Sequence, residues 1–291
     1  MKKGLIGIQM YSLRPDTIPN YDVYESLAKL SDIGYRCVEV SMVPLNEKNL
    51  KGFRRAIDEL GFHVAALSAG TSPSPMGFDC DLTDPDDVKK TIEAAKYLDC
   101  SMLRIGAMPL ESRFSLKAAT DYAKQVDDYA CQLSEQGIDL YYHNHHFEFC
   151  RYDGQLLLDI IRDNTKKLGF ELDIHWIQRG GMDPVKVINS YANRIRLLHL
   201  KDYRIAAMKQ PEGDFNNEET IKKAYAALND IIQFAEVGEG TLDIPACIQA
   251  GLDGGSEYFL VEQDLSYGRD PYDCLKTSHD NLVKMGYGDW F

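Results

Sequence analysis

The sequence lacks a run of about 18 apolar residues, the length that a membrane-spanning helix needs. Its first apolar segment is interrupted at Gln9, so we expect a strand there and no signal peptide. A Cys-x-x-Cys pair is also missing. The seven cysteines are odd in number and scattered, which argues against a disulfide framework and against a thiolate zinc site. Reduced thiols in a cytoplasmic protein are the simplest interpretation.

Basic residues are few for a chain of 291 residues, since 32 lysines and arginines stand against 45 aspartates and glutamates. The formal net charge of −13 repels phosphate groups, so we expect neither nucleic acid nor a membrane surface as a partner. A local basic pocket remains compatible with this charge. With 44% hydrophobic and 26% charged residues, the composition is that of an ordinary globular protein.

Short apolar segments alternate with longer amphipathic segments along the whole chain. The predicted strands are 5–11, 36–40, 63–67, 101–106, 139–144, 168–173, 195–201 and 258–262. The predicted helices are 21–33, 47–60, 84–98, 116–136, 155–164, 184–191, one that starts over 245–250, and 271–285. Asp183 is the expected N-cap of the helix that begins at Pro184.

This alternation requires parallel strands joined by crossover helices. An open doubly wound sheet would normally carry a glycine-rich phosphate loop after its first strand, and the sequence contains neither GxGxxG nor GxxxxGK[ST]. Eight strand–helix pairs favour a closed barrel. We therefore predict an α/β fold, a (β/α)₈ TIM barrel in a single domain over residues 1–291, with the polar stretch 209–219 as an inserted loop.

In such a barrel the active site lies at the C-terminal ends of the strands. Four consecutive predicted strands bring an imidazole or a carboxylate to that rim, namely His143, Asp173, His199 and Glu262. Each of these alone has a simpler interpretation as a helix N-cap, a surface charge or a structural histidine. Their coincidence at neighbouring strand ends favours a metal site, and the mixed donor set suits Mn, Co, Zn or Fe better than the all-oxygen sites of Ca²⁺.

The other histidines outside this rim receive no role in the site. Strand alternation is expected to turn two of them away from the ligand face, and the other two are taken as structural or exposed. These four residues are His146, His175, His63 and His279.

Seven segments carry a resemblance that spans nearly the whole chain in order. They are 6–14 (IGIQMYSLR), 143–149 (HNHHFEF), 171–176 (ELDIHW), 180–184 (GGMDP), 198–202 (LHLKD), 236–243 (EVGEGTLD) and 261–264 (VEQD). With these segments the chain resembles the xylose isomerase-like TIM barrel superfamily, in its sugar phosphate isomerase/epimerase branch, which is related to inosose dehydratase and endonuclease IV.

The resemblance implies one divalent metal ion (Mn, Co, Zn, Fe or Mg), usually held by Glu, Asp, His and Glu after strands five to eight. Asp173, His199 and Glu262 match three of these positions. His143 stands where many members have the first glutamate, and His145 corresponds to a catalytic histidine. Three residues further on, Glu148 is a second candidate for the fourth ligand or for the base.

The function implied is that of a metal-dependent sugar or keto-sugar isomerase or epimerase, which removes a proton next to a carbonyl through an enediolate. The alternative is a lyase or dehydratase that acts by β-elimination on an oxidised sugar, an inosose or a 3-oxo-glycoside. The His-Asn-His segment leans toward the alternative, because an imidazole suits acid assistance to a leaving hydroxyl group. The expected partner is a small sugar or cyclitol. A homo-oligomer is possible, because barrels of this family often associate.

Candidate roles extend to the residues around the metal. His145 or Glu148 is the candidate base, and Lys201 is a candidate partner of the substrate oxygens, with a pKa lowered by the nearby cation. A salt bridge from Lys201 to Asp202 or Glu236 is the alternative.

Four further residues are candidates for contact with the sugar. Gln9, Tyr11 and Arg14 follow the first strand and are candidates for binding hydroxyl groups, with packing as the alternative for Tyr11. Trp176 is a candidate surface for stacking a sugar ring, or else a core residue.

Two other functions are alternatives for a barrel of this kind. An abasic-site endonuclease is disfavoured by the negative charge, and Trp176 and Ser68 stand where the nuclease has further histidines. A catalytically silent barrel that serves as a binding or assembly subunit would be recognised by the loss of its metal.

Overall fold

The computed structural model describes residues 3–73, 80–208, 210 and 212–291. Eight parallel strands follow one another around a barrel, and the first strand pairs with the eighth, so the barrel is closed. The strands are β1 (Leu5–Gln9), β2 (Cys37–Val40), β3 (His63–Gly70), β4 (Met102–Ile105), β5 (Asp139–His143), β6 (Gly169–Asp173), β7 (Ile195–Leu200) and β8 (Tyr258–Val261). The predicted (β/α)₈ TIM barrel is confirmed.

Helices cover the outside of the barrel. They are α1 (Val23–Ile33), α2 (Glu47–Leu60), α3 (Pro85–Tyr97), α4 (Leu116–Ser134), α5 (Leu157–Asp163), α6 (Ile174–Arg179), α7 (Pro184–Ser190), α8 (Glu218–Ala226), α9 (Ile244–Gly254) and α10 (Pro271–Leu282). The expected cap of α7 is present, since the carboxylate of Asp183 accepts the N–H of Lys186. Helix α2 ends at Gly61, whose left-handed φ of 72° suits glycine.

The segment between β7 and α9 differs most from its prediction. An antiparallel pair, Asp202–Ile205 with Ile232–Ala235, extends from the barrel and carries α8 between its strands. Of the predicted loop 209–219, Lys209 and Pro211 lie outside the described residues, and Glu218 and Glu219 already belong to α8. The loop prediction missed this helix, whose first turn Asn217 caps by accepting the N–H of Glu219.

The inward side of the strands changes character from bottom to top. Near the N-terminal ends an apolar layer fills the barrel, including Cys37, Met102, Tyr141, Leu197 and Leu260. Two residues further along the same strands, on the same face, charged or imidazole side chains replace it. These are Glu39, Arg104, His143, His199 and Glu262, all buried. The apolar layer therefore closes the lower end of the barrel, and the charged side chains lie at its upper, C-terminal end.

The sequence predicted neither a disulfide framework nor a membrane-spanning helix. No disulfide links the cysteines among them. Within these same residues, the longest helices are too short or too polar to cross a bilayer.

Candidate metal centre

Four side chains from consecutive strands converge at the C-terminal mouth of the barrel. His143 ends β5, Asp173 ends β6, His199 lies in β7 and Glu262 directly follows β8. One donor atom of each lies within 4.8 Å of one donor atom of every other, and all four residues are buried. All the metal ligands predicted from the sequence, His143 included, therefore meet at one point.

The distances between these donor atoms suit a shared ion. Nδ1 of His199 lies 2.9 Å from Oε2 of Glu262, 3.1 Å from Nε2 of His143 and 3.7 Å from Oδ2 of Asp173. Ligands bound at about 2.0–2.2 Å to one ion lie roughly 3–3.5 Å apart. Asp173 Oδ2 is buried and has no hydrogen-bond partner among the described residues, as expected of an atom that awaits a cation. The residues fit a divalent metal ion.

A second group of charges supports His199 from below. Its Nε2 lies 3.2 Å from Oε2 of Glu39 and 3.2 Å from Oε1 of Glu171. A proton on Nε2 that is shared with these carboxylates leaves the Nδ1 lone pair for a metal. Burial opposes a charge on His199, but Glu171, Glu39 and Glu262 outweigh it and hold its pKa well above the usual range.

Arg104 neutralises part of this buried charge. Its Nε donates to Oε1 of Glu39 at 2.6 Å and lies 3.3 Å from Oε2 of Glu171. Burial and the charge of Glu39 raise the pKa of Glu171 to about 8. Burial also opposes the charge of Glu39, but Arg104 and His199 hold its pKa well below normal. Arg104 and His199 therefore favour the charged form of Glu39, whereas burial and the charge of Glu39 favour the neutral form of Glu171.

Above the ligands lies a cavity of about 440 Å³, a size typical of small-molecule sites. Residues in or just after seven of the eight strands line it, β6 being the exception. They include Gln9, Tyr11, Arg104, His145, Lys201 and Asp264. One of the two candidates for the base, His145, and two candidates for substrate contact, Gln9 and Tyr11, thus share one cavity with the candidate ligands His143 and Glu262.

His145 lines this cavity, and its ring packs against two aromatic side chains. Its ring stacks on Phe147 at a centroid distance of 5.3 Å and contacts Trp176 at 5.3 Å. Nδ1 of His145 is buried and has no partner among the described residues. Burial, together with the charges of His143 and Lys201, holds the pKa of His145 well below normal. The imidazole is therefore neutral at pH 7 and able to accept a proton.

Glu148 has a different position from the one expected. One carboxylate oxygen accepts the hydroxyl of Tyr142 at 2.6 Å, and the other accepts the backbone N–H of His145 at 2.8 Å. Burial raises the pKa of this carboxyl to about 7, against the two hydrogen bonds. Glu148 is completely buried and lies outside the cluster of ligand atoms. This geometry favours a role in holding the turn that carries His145 over a role as ligand or base.

Lys201 is surrounded by carboxylates. Its Nζ lies 2.7 Å from Oδ1 of Asp264, 3.1 Å from Oε2 of Glu262 and 3.7 Å from Oδ2 of Asp173. Burial opposes its charge, but these carboxylates raise the pKa of Lys201. The lowering expected from a bound cation stays a prediction. Lys201 is a charged donor in this structure.

The salt-bridge alternative for Lys201 named the wrong partners. Asp202 instead accepts the backbone N–H groups of Gly238 and Gly240 and so holds the loop after Ala235. Glu236 binds the guanidinium groups of Arg204 and Arg269. Asp202 and Glu236 therefore stabilise the loop after Ala235 and form no salt bridge with Lys201 among the described residues.

Of the four candidates for contact with the sugar, two line the cavity and two pack behind its wall. The side-chain oxygen of Gln9 accepts the N–H of Tyr11. The guanidinium of Arg14 covers the Tyr11 ring at 4.4 Å and donates to the backbone oxygen of Asp264, so it braces the rim. Trp176 packs behind His145 and 5.1 Å from Nζ of Lys201, outside the described wall of the cavity. Trp176 is half-buried, and both roles predicted for it stay predictions.

Two unassigned histidines lie away from the ligands for a reason other than the predicted one. His146 begins a turn of 3-10 helix and is exposed, and His175 lies in α6. His175 is buried with its Nδ1 3.0 Å from the backbone oxygen of Asp202. Strand alternation does not apply to either residue, because both strands have ended.

Sequence reasoning missed Glu39, Arg104, Glu171 and Asp264. A signal existed for the first three, because each is a charged residue inside an apolar strand. Glu171 precedes Asp173 by two residues and so shares its inward face. Asp264 lies two residues past Glu262, beyond the end of β8, where the alternation of a strand no longer fixes direction.

Comparisons with known proteins agree with the fold. Three solved structures are similar: a sugar phosphate isomerase/epimerase from Parabacteroides distasonis (21% identity, 99% of this chain and 96% of that chain, TM-score 0.69), a probable 3-DHS dehydratase of petrobactin synthesis from Bacillus anthracis (15%, 96% and 98%, 0.66), and an L-ribulose 3-epimerase (15%, 99% and 95%, 0.64). At these identities the likeness shows the fold alone.

No curated protein matches the sequence closely enough to carry a function across. Residues 27–270 match the family model of the xylose isomerase-like TIM barrel. The match covers most of the barrel, from α1 to the residue before α10, including all four candidate ligands. The chain therefore belongs to the xylose isomerase-like TIM barrel family.

Proposed function

We propose that the protein is a metal-dependent enzyme that isomerises or epimerises a sugar or keto-sugar by removing a proton next to a carbonyl. The observation that carries this proposal is the convergence of His143, Asp173, His199 and Glu262 within 4.8 Å beneath a cavity. A divalent ion bound there would polarise the substrate carbonyl and stabilise the negative charge of an enediolate.

The chain supplies the proton chemistry around this point. His145 is neutral and lines the cavity, so it is the base that takes the proton from carbon. Lys201 remains charged and donates hydrogen bonds to the substrate oxygens. Asp264 holds Lys201 at 2.7 Å and lines the same cavity. Glu148 fixes the backbone of His145 and thereby the direction of the base.

A lyase or dehydratase reaction is the second candidate, and one observation favours it. His143 occupies the ligand position at the end of β5, so Glu262 is the only glutamate among the four ligands. A proton shuttle between two ligand glutamates is then unavailable. The protonated Lys201 beside Asp264 is placed to assist a leaving oxygen, which β-elimination requires.

The test starts from purified protein reconstituted separately with Mn²⁺, Co²⁺, Zn²⁺, Fe²⁺ and Mg²⁺. Keto-sugars, inososes and 3-oxo-glycosides are screened for exchange of carbon-bound hydrogen with deuterated water. We expect metal-dependent exchange that chelation abolishes. Isomerisation conserves product mass, whereas dehydration lowers it by one water, so mass spectrometry separates the two candidates. Exchange that is insensitive to chelation would contradict the metal-dependent proposal.

The location and the partners stay predictions. We expect a cytoplasmic enzyme that acts on a small sugar or cyclitol and does not bind nucleic acid. Sedimentation of the purified protein would establish whether it forms a homo-oligomer.

A further inference from the structure

Arg104 projects from β4 toward the centre of the barrel and reaches the cavity. Its side chain keeps only 8% of its surface exposed, and it lines the cavity together with His143 and Lys201. Its Nε is engaged from below by Glu39 at 2.6 Å. The guanidinium is therefore anchored at one nitrogen, with its orientation fixed.

The other two guanidinium nitrogens have no such partner. Within the described part of the chain, neither Nη1 nor Nη2 of Arg104 donates a hydrogen bond. Nη1 lies directly against Gly106, where a Cβ atom would stand 2.6 Å from it. Only a residue without a side chain leaves this space to the guanidinium. Arg104 lines the cavity, so a ligand that enters the cavity can accept hydrogen bonds from these two nitrogens.

Gln9 adds a donor to the same cavity. Its carbonyl oxygen accepts the N–H of Tyr11, so its amino group is left to face another acceptor. Gln9 is almost completely buried, and among the described residues its amino group makes no hydrogen bond. The cavity thus contains donors on two side chains, apart from the metal ligands and Lys201.

The shape and charge of these donors favour a planar monoanion. The two free nitrogens of a guanidinium match the two oxygens of a carboxylate. Arg104 is already balanced by Glu39, and Lys201 by Asp264 and Glu262, so the chain offers little surplus charge for a phosphate dianion. We propose that Arg104 binds a carboxylate of the substrate and that the site takes a sugar acid. This inference rests on the proposed function, because it names the substrate class of the same site.

Binding of probes tests the inference without turnover. D-Glucuronate, D-glucose and D-glucose 6-phosphate are titrated calorimetrically into the Mn²⁺-loaded protein. We expect glucuronate to bind roughly tenfold or more tightly than glucose, as a charge-assisted bidentate contact would give. Equal affinity for glucuronate and glucose would overturn the inference. Tighter binding of the phosphate ester than of glucuronate would overturn the assignment of a carboxylate.

Two variants separate recognition by Arg104 from a structural role. Arg104→Met is expected to weaken glucuronate binding roughly tenfold and glucose binding less than about twofold. Gly106→Ala keeps the charge but displaces Nη1, so it should produce the same selective loss even if Arg104→Met fails to fold. Arg151→Met, which removes an exposed arginine that donates to the backbone oxygen of Gly154, is the matched control. Equal weakening of both probes in both variants would overturn the inference.

Repeating the titrations after chelation distinguishes this inference from the proposed function. The contrast between wild type and Gly106→Ala is expected to persist, because the guanidinium is anchored by Glu39 and not by a metal ligand. A protein that binds no metal would refute the metal-dependent reaction and still show this contrast. Loss of the contrast in a protein that binds metal normally would refute the carboxylate site alone.

Discussion

Nε2 of His199 lies 3.2 Å from Oε2 of Glu39, while Nδ1 on the other side of the ring faces the other candidate ligands. This relationship makes Glu39 the group that selects the tautomer of His199. Because the carboxylate of Glu39 holds the proton on Nε2, Nδ1 is the nitrogen that would give up its proton to a metal ion.

Replacing Glu39 with glutamine should therefore weaken metal binding. We expect the affinity for Mn²⁺ or Zn²⁺ to fall roughly tenfold to a hundredfold, the range found for partners of ligand histidines. Glu47→Gln, which changes a glutamate whose side chain is 83% exposed, is the matched control. Calorimetric titration of the metal-free proteins measures both. An unchanged affinity in Glu39→Gln would show that the carboxylate does not set the state of His199.

Removing His145 should abolish proton abstraction and leave the metal in place. Turnover by His145→Ala is expected to fall about a hundredfold or more, on the scale of a lost general base. Its metal content should equal that of the wild type, because His145 lies outside the four-ligand cluster. His146→Ala is the control, since His146 is the adjacent exposed histidine. Full hydrogen exchange by His145→Ala would remove this residue from the mechanism.

Lys201 should matter for turnover and not for holding the metal. Lys201→Met removes a positive charge 3.1 Å from Oε2 of Glu262, so its metal affinity should be at least that of the wild type. Turnover is expected to fall roughly a hundredfold, the scale of losing one donor to a developing oxyanion. Lys186→Met, at an 84% exposed lysine, is the control. A variant that loses its metal would show that Lys201 supports the ligand cluster itself.

Glu148 should make stability depend on pH. Its pKa rises from an ordinary 4.5 to about 7 in the folded protein, because burial disfavours the charge. The folded state then holds a proton that the unfolded state has lost, so this stabilisation is complete below about 4.5 and is lost as the pH rises through 7. The full change is on the order of 3 kcal/mol.

The variant Glu148→Gln cannot ionise at this position. Compared with the wild type, it should gain relative stability between pH 5 and pH 8, as measured by urea unfolding at each pH. Parallel pH profiles for the two proteins would mean that Glu148 is ionised in the folded state throughout. Since Glu148 holds His145, turnover should also fall while metal content stays unchanged.

The sequence predicted those parts of the site that depend on strand ends. Asp173, His199 and Glu262 each follow apolar residues in parallel strands, so closing the barrel is enough to bring them together. Glu148 was harder to place, because a 3-10 turn, and not a strand, decides where its carboxylate points. The same limit applies to Trp176, which lies in α6.

Charged residues within the strands were the larger omission. Glu39 and Arg104 stand in the short apolar segments of β2 and β4, and their pairing across the barrel depends on which strands face each other. A single apolar segment does not contain that information. The interruption by a charge was nevertheless visible and marks an inward position. The helix α8 was missed because the polar segment around it suggested a loop.

Metal content per chain tests the central claim most directly. Wild-type protein and an Asp173→Ala, Glu262→Ala double variant are loaded with Mn²⁺, passed through a desalting column and measured by elemental analysis. We predict about one ion per chain in the wild type, since the described residues contain one cluster of four donors. The double variant should lose most of this metal, and circular dichroism checks that both proteins are folded. A folded double variant that retains the same metal as the wild type, or a wild type that retains none, would contradict the account.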